Sequence, residues 1–241
     1  MKPTKAYRNP EFMDGPEARE LRILAEYLEP KSRFEAEGVE DTIVFFGSAR
    51  LPSGSKYYEA ARELAFRLTT WSKELGPEHQ RRFVVCTGGG PGIMEAANRG
   101  ASEARGRNVG LTISLPREEG VNPHVTRELA FHFHYFFMRK FWLAYMAKAL
   151  IVFPGGYGTL DELFEMLTLK QTKRLTKPMP IVLFGTEFWS EVINFDALVR
   201  HGTIDAADVG LMHRTDSVDE ACTWLMRHLT DEALGKPGPM L

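Results

Sequence analysis

Ala149-Leu150-Ile151-Val152-Phe153 runs directly into Pro154-Gly155-Gly156-Tyr157-Gly158-Thr159 and then into Leu160-Asp161-Glu162-Leu163-Phe164. Five apolar residues without alternation read as a strand covered on both faces, the glycine cluster as a sharp turn, and 160–170 as a helix. Strand, glycine turn, helix is the repeating unit of a parallel α/β sheet. The unit recurs outward in both directions, with apolar runs at 42–46, 83–86, 109–114 and 181–184 and helical patterns at 56–75, 93–105, 135–148, 188–198 and 219–229. This order predicts a Rossmann-like α/β domain over 42–230, a mostly parallel sheet with helices on both faces. Residues 1–41 read as an N-terminal helical extension, with Leu21, Leu24, Ala25 and Leu28 on one face of a helix at 17–28, and 231–241 as a C-terminal tail that frays from Gly235 onward. Ligands of such sheets gather at the carboxyl ends of the strands, so function belongs to the loops that follow them.

Composition narrows the classes. Of 241 residues 44% are hydrophobic and 26% charged, ordinary globular usage. Thirty basic against 32 acidic residues leave a formal charge of -2, which supplies no field for nucleic acid, so any phosphate site is built locally. Cys86 and Cys222 stand far apart, no apolar export segment opens the chain, and the most apolar stretch, 131–153, contains Arg139, Lys140 and Lys148. These features predict a cytoplasmic protein with no membrane partner.

Three post-strand loops are made of small residues: Gly47-Ser48-Ala49, Gly88-Gly89-Gly90-Pro91-Gly92 and 154–159. Glycines admit a ligand close to the backbone, and amides at a helix start favour phosphate, although any one such loop is equally a plain tight turn. The dinucleotide pattern G-x-G-x-x-G fails because Ile93 and Asp161 stand where its last glycine belongs, and no Gly-Lys-Ser/Thr triplet exists for a Walker loop. Thr159-Leu160-Asp161-Glu162 fits a capping box, which would make Glu162 a structural partner of the Thr159 amide. Arg139 and Lys140, two cations inside the run from Tyr135 to Leu143, need a partner or a function. His132 and His134 alternate as on one side of a strand, but no third ligand stands near, so no metal site is expected.

The stretch Pro154 to Glu162 resembles the PGGxGTxxE signature of the Lonely Guy (LOG) family, cytokinin riboside 5'-monophosphate phosphoribohydrolases, and Met138-Arg139-Lys140 resembles its companion RK motif. Gly47-Ser48-Ala49 and Gly88 to Glu95 follow the same family, so the resemblance spans about residues 42–200, and the segments outside that span look like those of its longer bacterial members. It implies a homodimer or larger homo-oligomer that hydrolyses the N-glycosidic bond of AMP-like nucleotides without metal or organic cofactor. It also implies that Arg139 and Glu162 are the catalytic pair. A carboxylate near the anomeric carbon suits oxocarbenium character, and a cation offsets charge on the departing base. For substrate binding it points to a phosphate on Gly155, Gly156, Gly158 and Thr159. Ser48, Gly89 and Gly90 flank the nucleotide, Glu95 meets its ribose or base, and Met138 and Lys140 lie beside it. The label lysine decarboxylase, often attached to this family, is rejected because no pyridoxal phosphate lysine site is recognisable. Two alternatives stay open: a non-catalytic carrier of a nucleotide or of molybdenum cofactor, and a broad-specificity nucleotide nucleosidase for salvage.

Overall fold

A computed structural model describes residues 3–76, 79, 81–114 and 120–239. Among these residues seven strands form one sheet: β1 (Thr42–Phe46), β2 (Val84–Thr87), β3 (Asn108–Ile113), β4 (Ala130–Phe133), β5 (Ala147–Val152), β6 (Ile181–Phe184) and β7 (Met212–Thr215). Their order is β4-β3-β2-β1-β5-β6-β7, and every neighbouring pair is parallel. This is the α/β, Rossmann-like architecture expected. The helices are α1 (Pro10–Asp14), α2 (Arg19–Ala36), α3 (Lys56–Glu74), α4 (Ile93–Glu103), α5 (Phe136–Met146), α6 (Tyr157–Gln171), α7 (Thr186–Val192), α8 (Phe195–Arg200) and α9 (Val218–His228).

Alternate residues of β1 divide the core. Ile43 and Phe45 join Leu64, Leu68, Ala97 and Leu225 under α3, α4 and α9. Val44 and Phe46 join Trp142, Leu143 and Leu163 under α5 and α6. The chain passes from β1 outward to β4 and returns to the other side of β1 as β5, so a crevice opens at the carboxyl ends of β1 and β5. The loops carrying the second and third glycine clusters follow β2 and β5, and Ser48 follows β1.

Several boundaries differ from the sequence reading. The helix expected over 135–148 stops at Met146, and Ala147 and Lys148 already belong to β5. The helix expected over 188–198 is two, with Asn194 capping α8 by accepting the Ala197 N–H at 2.8 Å. In α2 the leucine face is not the buried one. Ile23, Tyr27, Pro30 and Phe34 pack inward, while Leu21, Leu24 and Leu28 are about half exposed and Ala25 is exposed. Aromatic packing decides this: Phe34 lies 4.8 Å from Phe131 and 5.4 Å from Trp142, and Tyr27 lies 5.7 Å from Trp142, centroid to centroid. The tail from 235, expected to fray, starts tied down, since the Leu234 and Lys236 carbonyls accept bonds from Arg82 and Lys148 at 2.6 and 2.8 Å. Its last two residues, 240 and 241, lie outside the described residues, as do 1 and 2 of the extension. No helix among the described residues is long and apolar enough to cross a membrane.

Candidate functional site

A cleft of about 770 Å³ lies at the β1/β5 crevice. Its walls bring together Ser48, Gly88, Arg139, Gly156, Gly158, Thr159 and Glu162 with Phe46, Arg50, Met94, Phe136, Tyr157 and Leu160. Thus the first, second and third post-strand loops meet at one place, joined by the two charged residues that sequence reading singled out.

The third loop differs in form from the one expected. α6 begins at Tyr157 with Gly156 as its N-cap, so Tyr157, Gly158 and Thr159 form its first turn. The capping-box reading of Glu162 is therefore corrected: Thr159 is not the N-cap, and no side chain caps this helix. Leu160 donates to the Gly156 carbonyl at 3.0 Å, leaving the amides at the helix start without intrahelical acceptors. A Cβ at Gly156 or Gly158 would meet nothing, so those two glycines keep the backbone bare toward the cleft rather than serving packing. Gly155 has another reason, because a Cβ there would overlap the Thr159 side chain. The result is a row of uncapped amides at a positive helix end, suited to an anion.

Arg139 on α5 and Glu162 on α6 meet across this nest, Nη2 donating to Oε1 at 3.4 Å. Glu162 is buried and Arg139 partly so, and the pair is incompletely satisfied. Glu162 is 3% exposed, and both its Oε2 and the Arg139 Nε are buried without a hydrogen-bond partner. Burial pushes the Glu162 carboxyl up to about 7, against the pull of the Arg139 and Lys140 charges. A carboxyl poised near neutrality in the wall of a cleft, with one oxygen left without a partner, is equipped to exchange a proton or face a developing cation.

The remaining residues named from sequence fall elsewhere. Lys140 turns to Asp161 and Glu165 at 2.8 and 2.9 Å, bracing α5 against α6. Met138 is buried in the core on the α2 side. Glu95 accepts the Tyr58 hydroxyl at 3.1 Å and is not among the described cleft residues. Gly89 and Gly90 are buried behind the wall: the Gly89 N–H bonds to Thr87, and the carbonyls of both accept the Asn122 side chain at 3.1 Å. Gly89 and Gly92 both have positive φ, and a Cβ on Gly92 would overlap the Ser48 carbonyl. His132 spends both ring nitrogens on Thr112 and Ser114, each at 2.9 Å.

Arg50, Met94, Phe46 and Phe136 line the cleft without having been singled out. A cation two residues beyond Ser48 was a readable signal for Arg50. Phe136 was hidden in the aromatic run, although it is 49% exposed and lies 5.4 Å from the Arg139 guanidinium.

Residues 94–225 match a protein family described as possible lysine decarboxylase. The chain is 30% identical over 186 residues to the cytokinin riboside 5'-monophosphate phosphoribohydrolase LOG2 of Arabidopsis thaliana, covering 74% of this chain and 76% of that one. It is 33% identical over 183 residues to LOG7 of the same plant, covering 73% and 74%. Among solved structures, the molybdenum cofactor binding protein of Rippkaea orientalis superposes with a TM-score of 0.56 at 19% identity, covering 79% of this chain and 98% of that one. The Moco carrier protein of Chlamydomonas reinhardtii gives 0.53 at 23%, covering 79% and 98%. These two likenesses are of fold. A decarboxylase using pyridoxal phosphate needs a lysine for its Schiff base, and none of the described residues lining the cleft is lysine. The residues present do not fit that group.

Proposed function

The chain belongs to the Lonely Guy (LOG) family of cytokinin riboside 5'-monophosphate phosphoribohydrolases, and from that premise we propose that it hydrolyses the N-glycosidic bond of a nucleoside 5'-monophosphate, AMP or a cytokinin riboside 5'-monophosphate, to the free base and ribose 5-phosphate. The observation that carries this reading is the Arg139–Glu162 pair, with unpartnered Oε2 and Nε, in the same cleft wall as the uncapped start of α6. The phosphate rests on the amides of Gly156 to Thr159. The ribose then extends toward Glu162, and the base toward Phe46, Met94, Phe136 and Leu160. As the bond to the base breaks, positive charge grows on the ribosyl ring and the Glu162 carboxylate opposes it and orients the attacking water. Arg139 keeps that carboxylate ionised and offsets charge on the leaving base. Half-exposed Leu24 and Phe137 line one apolar groove between α2 and α5, which supports a homodimer or larger homo-oligomer.

A carrier has the same fold but no chemical use for a carboxyl raised to about 7 beside an arginine. Base release from AMP and from isopentenyl-AMP, followed by chromatography, tests the reading directly; binding without release of any base would overturn it. The relative rates on the two nucleotides separate cytokinin activation from general salvage.

Two further results are expected. Thr159→Ala, which alters the first turn of α6, should raise KM for AMP roughly tenfold with a smaller change in kcat, since a phosphate contact is felt in ground and transition states alike. An unchanged KM would remove the Thr159 side chain from the phosphate contacts and leave them to the backbone amides. In the pH profile, kcat/KM should climb about tenfold from pH 6 to pH 8, because the ionised fraction of Glu162 grows through about 7. A profile falling over that range would make Glu162 a proton donor instead.

A further inference from the structure

α5 carries Arg139, yet its start is not capped from within. The side chain of Tyr135, its N-cap, makes no capping bond, and no acid sits in the first turn. The acceptor comes from α2. Glu26 accepts the backbone N–H of His134 on Oε1 at 2.7 Å and that of Tyr135 on Oε2 at 3.2 Å. A capping-box glutamate does the same for its own helix, and here the carboxylate, with its charge at the positive end of α5, is lent by another.

The Glu26 backbone is engaged too. Residue 30 is a proline inside α2, so the N–H that would bond the Glu26 carbonyl within the helix does not exist. The Trp142 indole N–H takes that carbonyl at 3.0 Å. One residue therefore holds α5 at its N-cap and again two turns on, and Arg139 lies between the two anchors. Arg33, further along α2, fixes the preceding strand by donating to the Ala130 carbonyl at 2.9 Å.

We infer that Glu26 is a positioning residue for the reaction proposed above: the N-terminal extension sets the height and rotation of α5 and so the aim of Arg139 at Glu162. The inference rests on Arg139 acting in that reaction. Geometry makes the aim sensitive, because the Arg139–Glu162 contact, 3.4 Å, sits near the outer limit of a hydrogen bond, and a shift of about an ångström makes or breaks it.

The test compares the full-length wild type with Glu26→Ala and Glu26→Gln. In Glu26→Ala, backbone amides at 134–139 should exchange with deuterium faster, and kcat for base release from AMP should fall about tenfold while KM stays within about twofold. Glu26→Gln, which keeps one acceptor oxygen, should recover part of the rate. In an Arg139→Lys background, Glu26→Ala should cost no further rate. Unchanged exchange would overturn the cap. Faster exchange and a lower Tm with unchanged kcat would leave Glu26 a stabilising residue only, and an equal loss in the Arg139→Lys background would show that it does not act through Arg139. A wild type that releases no base overturns the hydrolase reading and this inference together, whereas an active wild type matched by Glu26→Ala overturns the inference alone.

Discussion

Glu162→Gln is expected to lower base release from AMP by about a thousandfold or more while leaving a folded protein that still binds the nucleotide. The substitution keeps the side chain's shape and its acceptor toward Arg139 Nη2, and removes only the charge that meets the ribosyl cation. Stability should move the other way. Burial raises the Glu162 carboxyl from 4.5 to about 7, so the folded chain holds this proton more tightly than the unfolded chain between those values. The group's contribution to stability therefore declines as pH rises from about 4.5 to about 7, and above that the folded state carries a cost of roughly 3 kcal/mol for the ionised, buried carboxylate. Glutamine lacks that cost, although it also leaves the Arg139 charge without its counterion. Melting curves at pH 8 should thus show Glu162→Gln at or above the wild-type Tm, and at pH 5, where the wild-type carboxyl is protonated, any advantage should vanish. Full activity in Glu162→Gln would reduce the residue to a buried structural contact. A loss of both activity and Tm at pH 8 would mean that its charge, not its neutral form, holds α5 and α6 together. This combination of lost rate and undiminished stability is what separates a residue retained for chemistry from one retained for packing.

The sheet was legible wherever a strand is covered on both faces, because burial on both sides forces a continuous apolar run. β1, β2, β3, β5 and β6 read in this way. The edge strands β4 and β7 did not enter the count: Met212-His213-Arg214-Thr215 is only partly buried for three of its four residues, and only the alternation of His132 and His134 marked β4. The α5 to β5 passage was invisible for a different reason. Met146 is followed at once by Ala147 of the strand, with no glycine or proline between them, so helix and strand merge into one apolar stretch. Within the site, Arg139 and Glu162 stood out as charges in apolar surroundings, and the family signature named them. Their meeting depends on α5 and α6 flanking β5, a relation of topology that spacing does not encode. What sequence hid most completely is pairing over long separations. Glu26 looks like one more exposed helix acid until α5 is laid beside it. Asp41 and Arg82 look like surface charges at strand starts.

Asp41→Ala is expected to cost about 3–5 kcal/mol of folding stability, which in a chain of this size lowers Tm by roughly 10 °C. Asp41 precedes β1 and Arg82 lies just before β2, both essentially without exposure. The carboxylate accepts the Arg82 Nε at 2.6 Å and the backbone N–H of Phe83 at 2.7 Å, which holds Phe83 in its left-handed conformation at φ 55°. The same guanidinium donates to the Ala233 and Leu234 carbonyls at 2.8 and 2.6 Å, fastening the end of the chain beneath the sheet. Alanine at 41 leaves that cation in the interior with carbonyls, the Phe83 ring at 4.7 Å and the more distant Glu40, at 3.7 Å, but no close counterion. It also frees an N–H at a strained residue. Removing the whole pair should hurt less than removing half of it: Asp41→Ala with Arg82→Met should regain part of the lost Tm, since the uncompensated charge is then gone. Chemistry should be indifferent to either change. The pair lies at the amino-terminal edge of the sheet and the cleft at the carboxyl ends of β1 and β5, so kcat per folded molecule, measured well below the variant's Tm, should equal that of the wild type. Denaturant melts of the three proteins decide the first point: a cost under about 1 kcal/mol for Asp41→Ala would mean that water reaches Arg82 and the pair is not sealed. A fall in kcat at full folding would mean that the two edges of the sheet are coupled through β1, whose first residue follows Asp41 and whose last leads to Ser48.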